Sequence, residues 1–154
     1  MTPALNKPLP EFEALATGGV KFTPQAYAGQ TVVLYFYPKD NTPGCTQEGQ
    51  DFRDQYKAFV KAGAEIVGIS KDSVRSHENF KSKFSFPFDL LADTEGVACK
   101  AFDVIKEKSM YGRKYMGVER STFLFDPKGN LVREWRGVKV KGHADEVLEA
   151  VKAI

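Results

Sequence analysis

Residues 34–53 read LYFYPKDNTPGCTQEGQDFR, and the reading of this stretch decides the fold. Thr31 to Tyr37 is an apolar, β-branched and aromatic run with the composition of a buried strand, and it stops at Pro38. A polar turn leads to Thr42-Pro43-Gly44-Cys45, after which Phe52, Tyr56, Phe59 and Val60 recur at i, i+4, i+7 and i+8, one apolar stripe of a helix. Thr42 is placed to cap that helix, and Pro43 suits its first position, where a missing N–H leaves no bond unmade. The spacing therefore predicts a strand over 31–37 and a helix over 43–62, closed by Gly63, with Cys45 in the first helical turn. Free backbone N–H groups and the positive end of the helix dipole meet there, and both favour an anion. The thiolate is the reactive form of cysteine, and each pKa unit below about 8.5 adds about 1.36 kcal/mol of preference for it. A lone cysteine is more often a small buried hydrophobe. Here the turn, the cap and the position select the reactive reading.

Downstream, Ala64 to Ser70 (AEIVGIS) is a continuous apolar run, the pattern of a strand buried on both faces. Strand, helix and strand in succession make a βαβ unit with parallel pairing and a right-handed crossover. Ser73 to Phe84 reads as a second helix, capped by Asp72 or Ser73, with Phe80 and Phe84 on one side. Pro87 ends any helix, Asp89-Leu90-Leu91 reads as a short strand, and Thr94 to Phe102 as a short helix with Val97, Ala98, Ala101 and Phe102 on its apolar side. Residues 103–118 form a basic and aromatic connection with no assigned element. Ser121 to Phe125 and Asn130 to Trp135 form a hairpin around Asp126-Pro127-Lys128-Gly129. His143 to Ile154 closes the chain as a helix whose buried stripe is Val147, Leu148 and Val151. Residues 1–30 are a polar approach punctuated by Pro3, Pro8, Pro10 and Pro24, with Phe12, Leu15, Val20 and Phe22 flanking Gly18-Gly19 as a hairpin at the sheet edge. The order predicts an α/β fold of thioredoxin-like type: a central mixed β-sheet flanked by helices, an N-terminal hairpin extension, and one domain over 1–154.

Composition narrows the function. The 154 residues are 42% hydrophobic and 27% charged, ordinary for a globular chain, with a net charge of +2 and no long basic run. Neither nucleic acid nor membrane is implied as a partner, and no apolar stretch has the length of a span or a leader. Two cysteines are too few for a disulfide scaffold and fit a reducing compartment, so the cytoplasm is the expected location. No GxGxxG or GxxxxGK occurs, so no phosphate-bearing cofactor is expected. His77 and His143 stand apart from any ligand spacing, so no metal is expected and both histidines read as surface residues.

The run Pro38-x-x-x-Thr42-x-x-Cys45 resembles the active-site signature of the peroxiredoxins, and FYPKDNTPGCTQEGQDFRD is similar to the branch called bacterioferritin comigratory protein, or Q-type. The likeness extends through IVGIS at 66–70, the KSMYGRKYMGVERSTFLFDPKG region and the C-terminal helix. It implies a cofactor-free peroxidase, acting as a monomer, in which Cys45 attacks hydrogen peroxide or an alkyl hydroperoxide. The resulting sulfenic acid is reset by a thioredoxin-like protein or a low-molecular-weight thiol. The resemblance also implies that Pro38 walls the pocket, that Thr42 hydrogen-bonds sulfur or peroxide, and that Arg120 is the active-site arginine. Such a cation answers the chemistry, because charge moves onto the departing oxygen as the O–O bond breaks. Glu48, one turn after Cys45, can hold Arg120 or simply face water.

The sequence departs from the branch at Gln50, where many members carry a resolving cysteine. Cys99 is the other thiol of the chain and reads as a packed core residue; the alternatives are resolution by Cys99 or a one-cysteine cycle closed by an outside thiol. A general thiol–disulfide oxidoreductase is the second functional reading. It prefers Cys-x-x-Cys, whereas Cys45 is followed by Thr46, Gln47 and Glu48. A non-catalytic binding module would have no need of Thr42, Cys45 and Arg120 together.

Overall fold

The computed structural model describes residues 12–19, 21–23, 27 and 29–154. The strand that opens the decisive stretch lies inside a seven-stranded sheet, with a paired neighbour on each side. The strands are β1 (Ala14–Ala16), β2 (Lys21–Phe22), β3 (Thr31–Phe36), β4 (Ala64–Ser70), β5 (Asp89–Ala92), β8 (Ser121–Phe125) and β9 (Leu131–Arg136), and the order across the sheet is β2-β1-β5-β4-β3-β8-β9. β3 pairs in parallel with β4, and β4 with β5, while β8 runs antiparallel to β3. Every residue of β3 is buried, which is why its sequence is apolar without alternation. Helices α1 (Pro43–Asp54), α2 (Tyr56–Lys61), α3 (Val74–Phe84), α4 (Val97–Ala101) and α5 (His143–Lys152) cover the sheet. No helix of the described residues is long and apolar enough to cross a membrane.

The sheet divides the core into two clusters. Val33, Tyr35 and Tyr37 pack with Cys45 and Phe52 of α1, Phe59 of α2, Phe80 of α3 and Val147 of α5. Val32, Leu34 and Phe36 pack with Ala98 and Cys99 of α4, with Phe102, and with Phe12 and Phe22. Successive residues of a strand point to opposite faces, so these clusters lie on the two sides of the sheet.

Several sequence expectations need correction. The helix over 43–62 is two helices broken at Gln55, whose φ of −108° and ψ of 7° leave the helical region. Its side chain donates to Asp145 Oδ1 of α5 at 2.6 Å. Phe52 and Phe59 both reach the core, while Val60 is left 50% exposed. Gly63 follows with the positive φ of +85° expected of a closing glycine. Residues 103–118, left without an element in the sequence, hold two strands: β6 (Ile105–Met110) and β7 (Arg113–Val118) form a separate antiparallel ribbon. The short helix after β5 begins at Val97, and Val97 is exposed, not packed. Of the N-terminal expectations, β1 and β2 pair at the sheet edge around Gly18 and Gly19. Val20 and the four prolines of the approach lie outside the described residues.

Candidate active site

α1 begins where the sheet releases the chain. Thr42 is the N-cap residue by position, with an extended φ of −90° and ψ of 157°, and Pro43 is the first helical residue. The Thr42 hydroxyl does not cap, however. It donates to the Lys39 carbonyl at 2.9 Å, closing the turn on itself. The first intrahelical bond is Thr46 N–H to the Thr42 carbonyl at 2.8 Å. Gly44 and Cys45, ahead of it, keep the N–H groups that a helix start leaves over.

Cys45 is 2% exposed, and Arg120 Nη2 donates to its sulfur at 3.5 Å. The other terminal nitrogen, Nη1, donates to Glu48 Oε1 at 2.7 Å. Arg120 stands immediately before β8, with its carbonyl held by the Val138 N–H at 3.0 Å, so the backbone at the root of the guanidinium is fixed. Gly44 completes the approach: a Cβ there would lie 3.0 Å from Arg120 Nη2. Glu48 is 1% exposed, and its Oε2 has no hydrogen-bond partner. Burial lifts the Glu48 carboxyl to about 7 against the opposing pull of Arg120. Burial works against the charge on Arg120 too, but Glu48 and Cys45 more than offset it and hold the guanidinium charged.

Of the four residues singled out in the sequence, Cys45 and Arg120 are thus in direct contact. Pro38 and Thr42, both half-buried, bracket the turn that leads into the helix, with the Thr42 proton donated to the Lys39 carbonyl. Gly44 was not singled out, and its only signal was its place beside the cysteine.

Cys99 is fully buried, on the other side of the sheet from Cys45. Burial, a hydrogen bond with Asp93 and the Asp93 charge push its thiol far above the ordinary range, so it resists forming the thiolate. Both histidines are buried, against expectation. His77 touches Asp40 at 2.7 Å and Leu91 O at 2.8 Å, and His143 Nε2 meets Thr122 Oγ1 at 2.8 Å. The signal was present in each helix: His77 precedes Phe80 by three and Phe84 by seven, and His143 precedes Val147 by four and Val151 by eight.

Known proteins share this arrangement of chain. Residues 5–134 match the family model described as AhpC/TSA family. Peroxiredoxin Bcp of Xanthomonas campestris pv. campestris is 57% identical over 137 residues, covering 89% of this chain and 86% of its own. Among solved structures, a Xylella fastidiosa PrxQ mutant superposes with a TM-score of 0.93 at 44% identity, over 99% of this chain and 98% of that one. The Xanthomonas campestris bacterioferritin comigratory protein, solved as a trapped intermediate/ligand complex for insight into its alkyl peroxide reduction activity, superposes with a TM-score of 0.88 at 54% identity, over 92% and 90%.

Proposed function

Because the chain belongs to the AhpC/TSA family and is a thiol-dependent peroxidase of thioredoxin-like fold, a peroxiredoxin, we propose that Cys45 is the thiol that meets peroxide and that Arg120, Thr42 and Pro38 build its pocket. The observation that carries this reading is the contact of Arg120 Nη2 with Cys45 Sγ at 3.5 Å in the first turn of α1. The sulfur attacks one peroxide oxygen and the O–O bond breaks. Its electron pair leaves on the second oxygen, which takes a proton and departs as water or an alcohol. Cys45 is left as a sulfenic acid. During this step negative charge moves from sulfur to the departing oxygen, and the Arg120 guanidinium, with the N–H groups of Gly44 and Cys45, is arranged to follow it. Glu48 fixes the guanidinium from behind. The Thr42 proton is committed to Lys39, so its oxygen lone pairs are what it offers, as acceptors of a peroxide O–H. Pro38 has no N–H and limits water beside the sulfur.

The cycle closes with outside thiols. One thiol condenses with the sulfenic acid, forming an S–S bond and releasing water. A second thiol displaces Cys45 and leaves as a disulfide. What supports a one-cysteine cycle is the buried position of Cys99 across the sheet, since a bridge needs Cα atoms within about 7 Å. The reductant is a thioredoxin-like protein or a low-molecular-weight thiol, the substrates are hydrogen peroxide and alkyl hydroperoxides, and the active unit is a monomer of one domain. The cytoplasm is the compartment such a thiol cycle fits.

Cys45→Ser should abolish peroxide consumption with a thiol reductant while native-like circular dichroism is kept. Cys99→Ser should change turnover by less than about threefold, because it alters packing, not chemistry. Substantial activity in folded Cys45→Ser removes Cys45 from its role. A dominant Cys45–Cys99 disulfide after one equivalent of peroxide, found by non-reducing peptide mapping, removes the one-cysteine cycle.

A further inference from the structure

The turn that carries Pro38 and Thr42 is fastened from beneath by a buried polar network that the peroxide chemistry leaves unused. Asp40 Oδ1 accepts from the Tyr37 hydroxyl at 2.6 Å. Asp40 Oδ2 accepts from the Ser76 hydroxyl at 2.7 Å and lies 2.7 Å from His77 Nδ1. On the far side of the ring, His77 Nε2 is 2.8 Å from the Leu91 carbonyl of β5. A carbonyl only accepts, so Nε2 carries a proton. A carboxylate oxygen and a ring nitrogen at this separation then need a further proton between them, whichever atom holds it. The Asp40 backbone is tied as well: its N–H donates to Asp72 Oδ2 at 2.9 Å, an oxygen also bonded by the Ser70 hydroxyl at 2.6 Å. Asp40, Asp72 and His77 bring possible ligand atoms within 4.8 Å of one another. All of these atoms are already engaged in the bonds just named, so the cluster is a clamp within the protein.

We propose that Asp40 and His77 are positioning residues for the peroxidase reaction. Through their shared proton they lock the turn over residues 38–42 to α3 and β5, and so set where Pro38, Thr42 and the first turn of α1 stand around the sulfur. The sheet holds the chain up to Phe36, with one more bond from Tyr37 N–H to the Ile69 carbonyl at 3.1 Å. The helix holds it from Pro43 onward. Between them, among the described residues, the turn's long-range hydrogen bonds are those of Asp40 and an exposed bond from Lys83 Nζ to Asn41 Oδ1 at 3.2 Å. Asn41 sits at a φ of +61°, in the left-handed region that asparagine adopts more readily than most residues. Of the two ties, the buried one is stiffer, because water does not compete for its partners.

The inference rests on the proposed role of Cys45 and its pocket, and the test separates the two. Second-order rates of Cys45 oxidation by hydrogen peroxide and of Cys45 alkylation by iodoacetamide are measured on folded variants. Alkylation reads the nucleophile alone, whereas peroxide reduction also needs the pocket. Asp40→Ala should slow peroxide oxidation by about 10–100-fold, the scale of a small misplacement, with alkylation within about threefold of wild type. Asp40→Asn should restore the peroxide rate to within about threefold, because the amide replaces every lost bond. It donates to a neutral His77 Nδ1 and to the Ser76 oxygen, and still accepts from Tyr37. Where Asp40→Ala does not fold, Tyr37→Phe, which removes one donor, takes its place with a fall of about threefold or more. The proposal is overturned by an unchanged peroxide rate in the folded variant, by an equal fall in alkylation, or by Asp40→Asn as slow as Asp40→Ala. Failure of the Cys45 reading would appear separately, as peroxide reduction surviving Cys45→Ser.

Discussion

Arg120 has one nitrogen on the sulfur and another on a buried carboxylate, and the absence of a side chain at Gly44 is what lets it come so near. On the proposed reading Arg120→Met should slow peroxide reduction by roughly 10–1000-fold, the cost of losing one fixed electrostatic stabiliser. Stopped-flow oxidation of the reduced protein measures it, and an unchanged rate returns Arg120 to a structural role. Gly44→Ala is the subtler probe. Its methyl would lie 3.0 Å from Nη2, so the guanidinium must shift while the backbone, at an ordinary negative φ, is not strained. The peroxide rate should fall by about tenfold with the melting temperature nearly unmoved, since displacement of a positioned group is a kinetic loss. A wild-type rate in Gly44→Ala would mean that Arg120 has room that the structure denies it.

At the scale of elements, α1 lies against the Phe84, Phe86 and Phe88 ladder so closely that Gly49 touches the Phe86 ring where a Cβ would stand. Gly49→Ala should therefore destabilise the fold by about 1–3 kcal/mol through overpacking, read from urea unfolding. No loss of stability would show that the ladder can slide. The strand, the turn and the start of α1 were legible in the sequence because each is fixed locally, by a buried run, Pro38, and the Thr42-Pro43 pair. The break at Gln55 was not, because the partner of its side chain is tertiary: Asp145 of α5, 90 residues away in sequence. The β6–β7 ribbon was hidden by its turn. A two-residue hairpin of this kind needs a positive φ at both central positions, and here they are Tyr111 at +52° and Gly112 at +77°, where asparagine or aspartate is the usual first residue. The ribbon is also largely exposed, so no alternation of apolar residues announced it. Arg120 and Glu48 could be named from sequence, but their meeting depends on β8 lying beside β3, a long-range pairing that no local pattern encodes.

For the molecule as a whole, two buried groups titrate against each other. Burial raises the Glu48 carboxyl from 4.5 to about 7, so between these values the folded state holds a proton that the unfolded chain has lost, and stability falls as pH rises. Burial lowers His143 from 6.5 to about 4, so between those values the unfolded chain holds the extra proton, and stability rises with pH. The two slopes oppose each other from pH 4.5 to 6.5. Glu48→Gln should unmask the rise, gaining on the order of 1–3 kcal/mol relative to wild type between pH 4.5 and 7, by denaturant titration at each pH. Parallel curves for the two proteins would remove Glu48 from the balance. The sheet that separates Cys45 from Cys99 has a consequence on the same scale. On the one-cysteine reading, a chain whose oxidised sulfur has no second sulfur within reach stores the two oxidising equivalents of one peroxide and keeps them until a donor arrives. Cut off from thiols, a population of such chains is a dosimeter: the trapped fraction counts the peroxide already met, and the tally is erased only from outside.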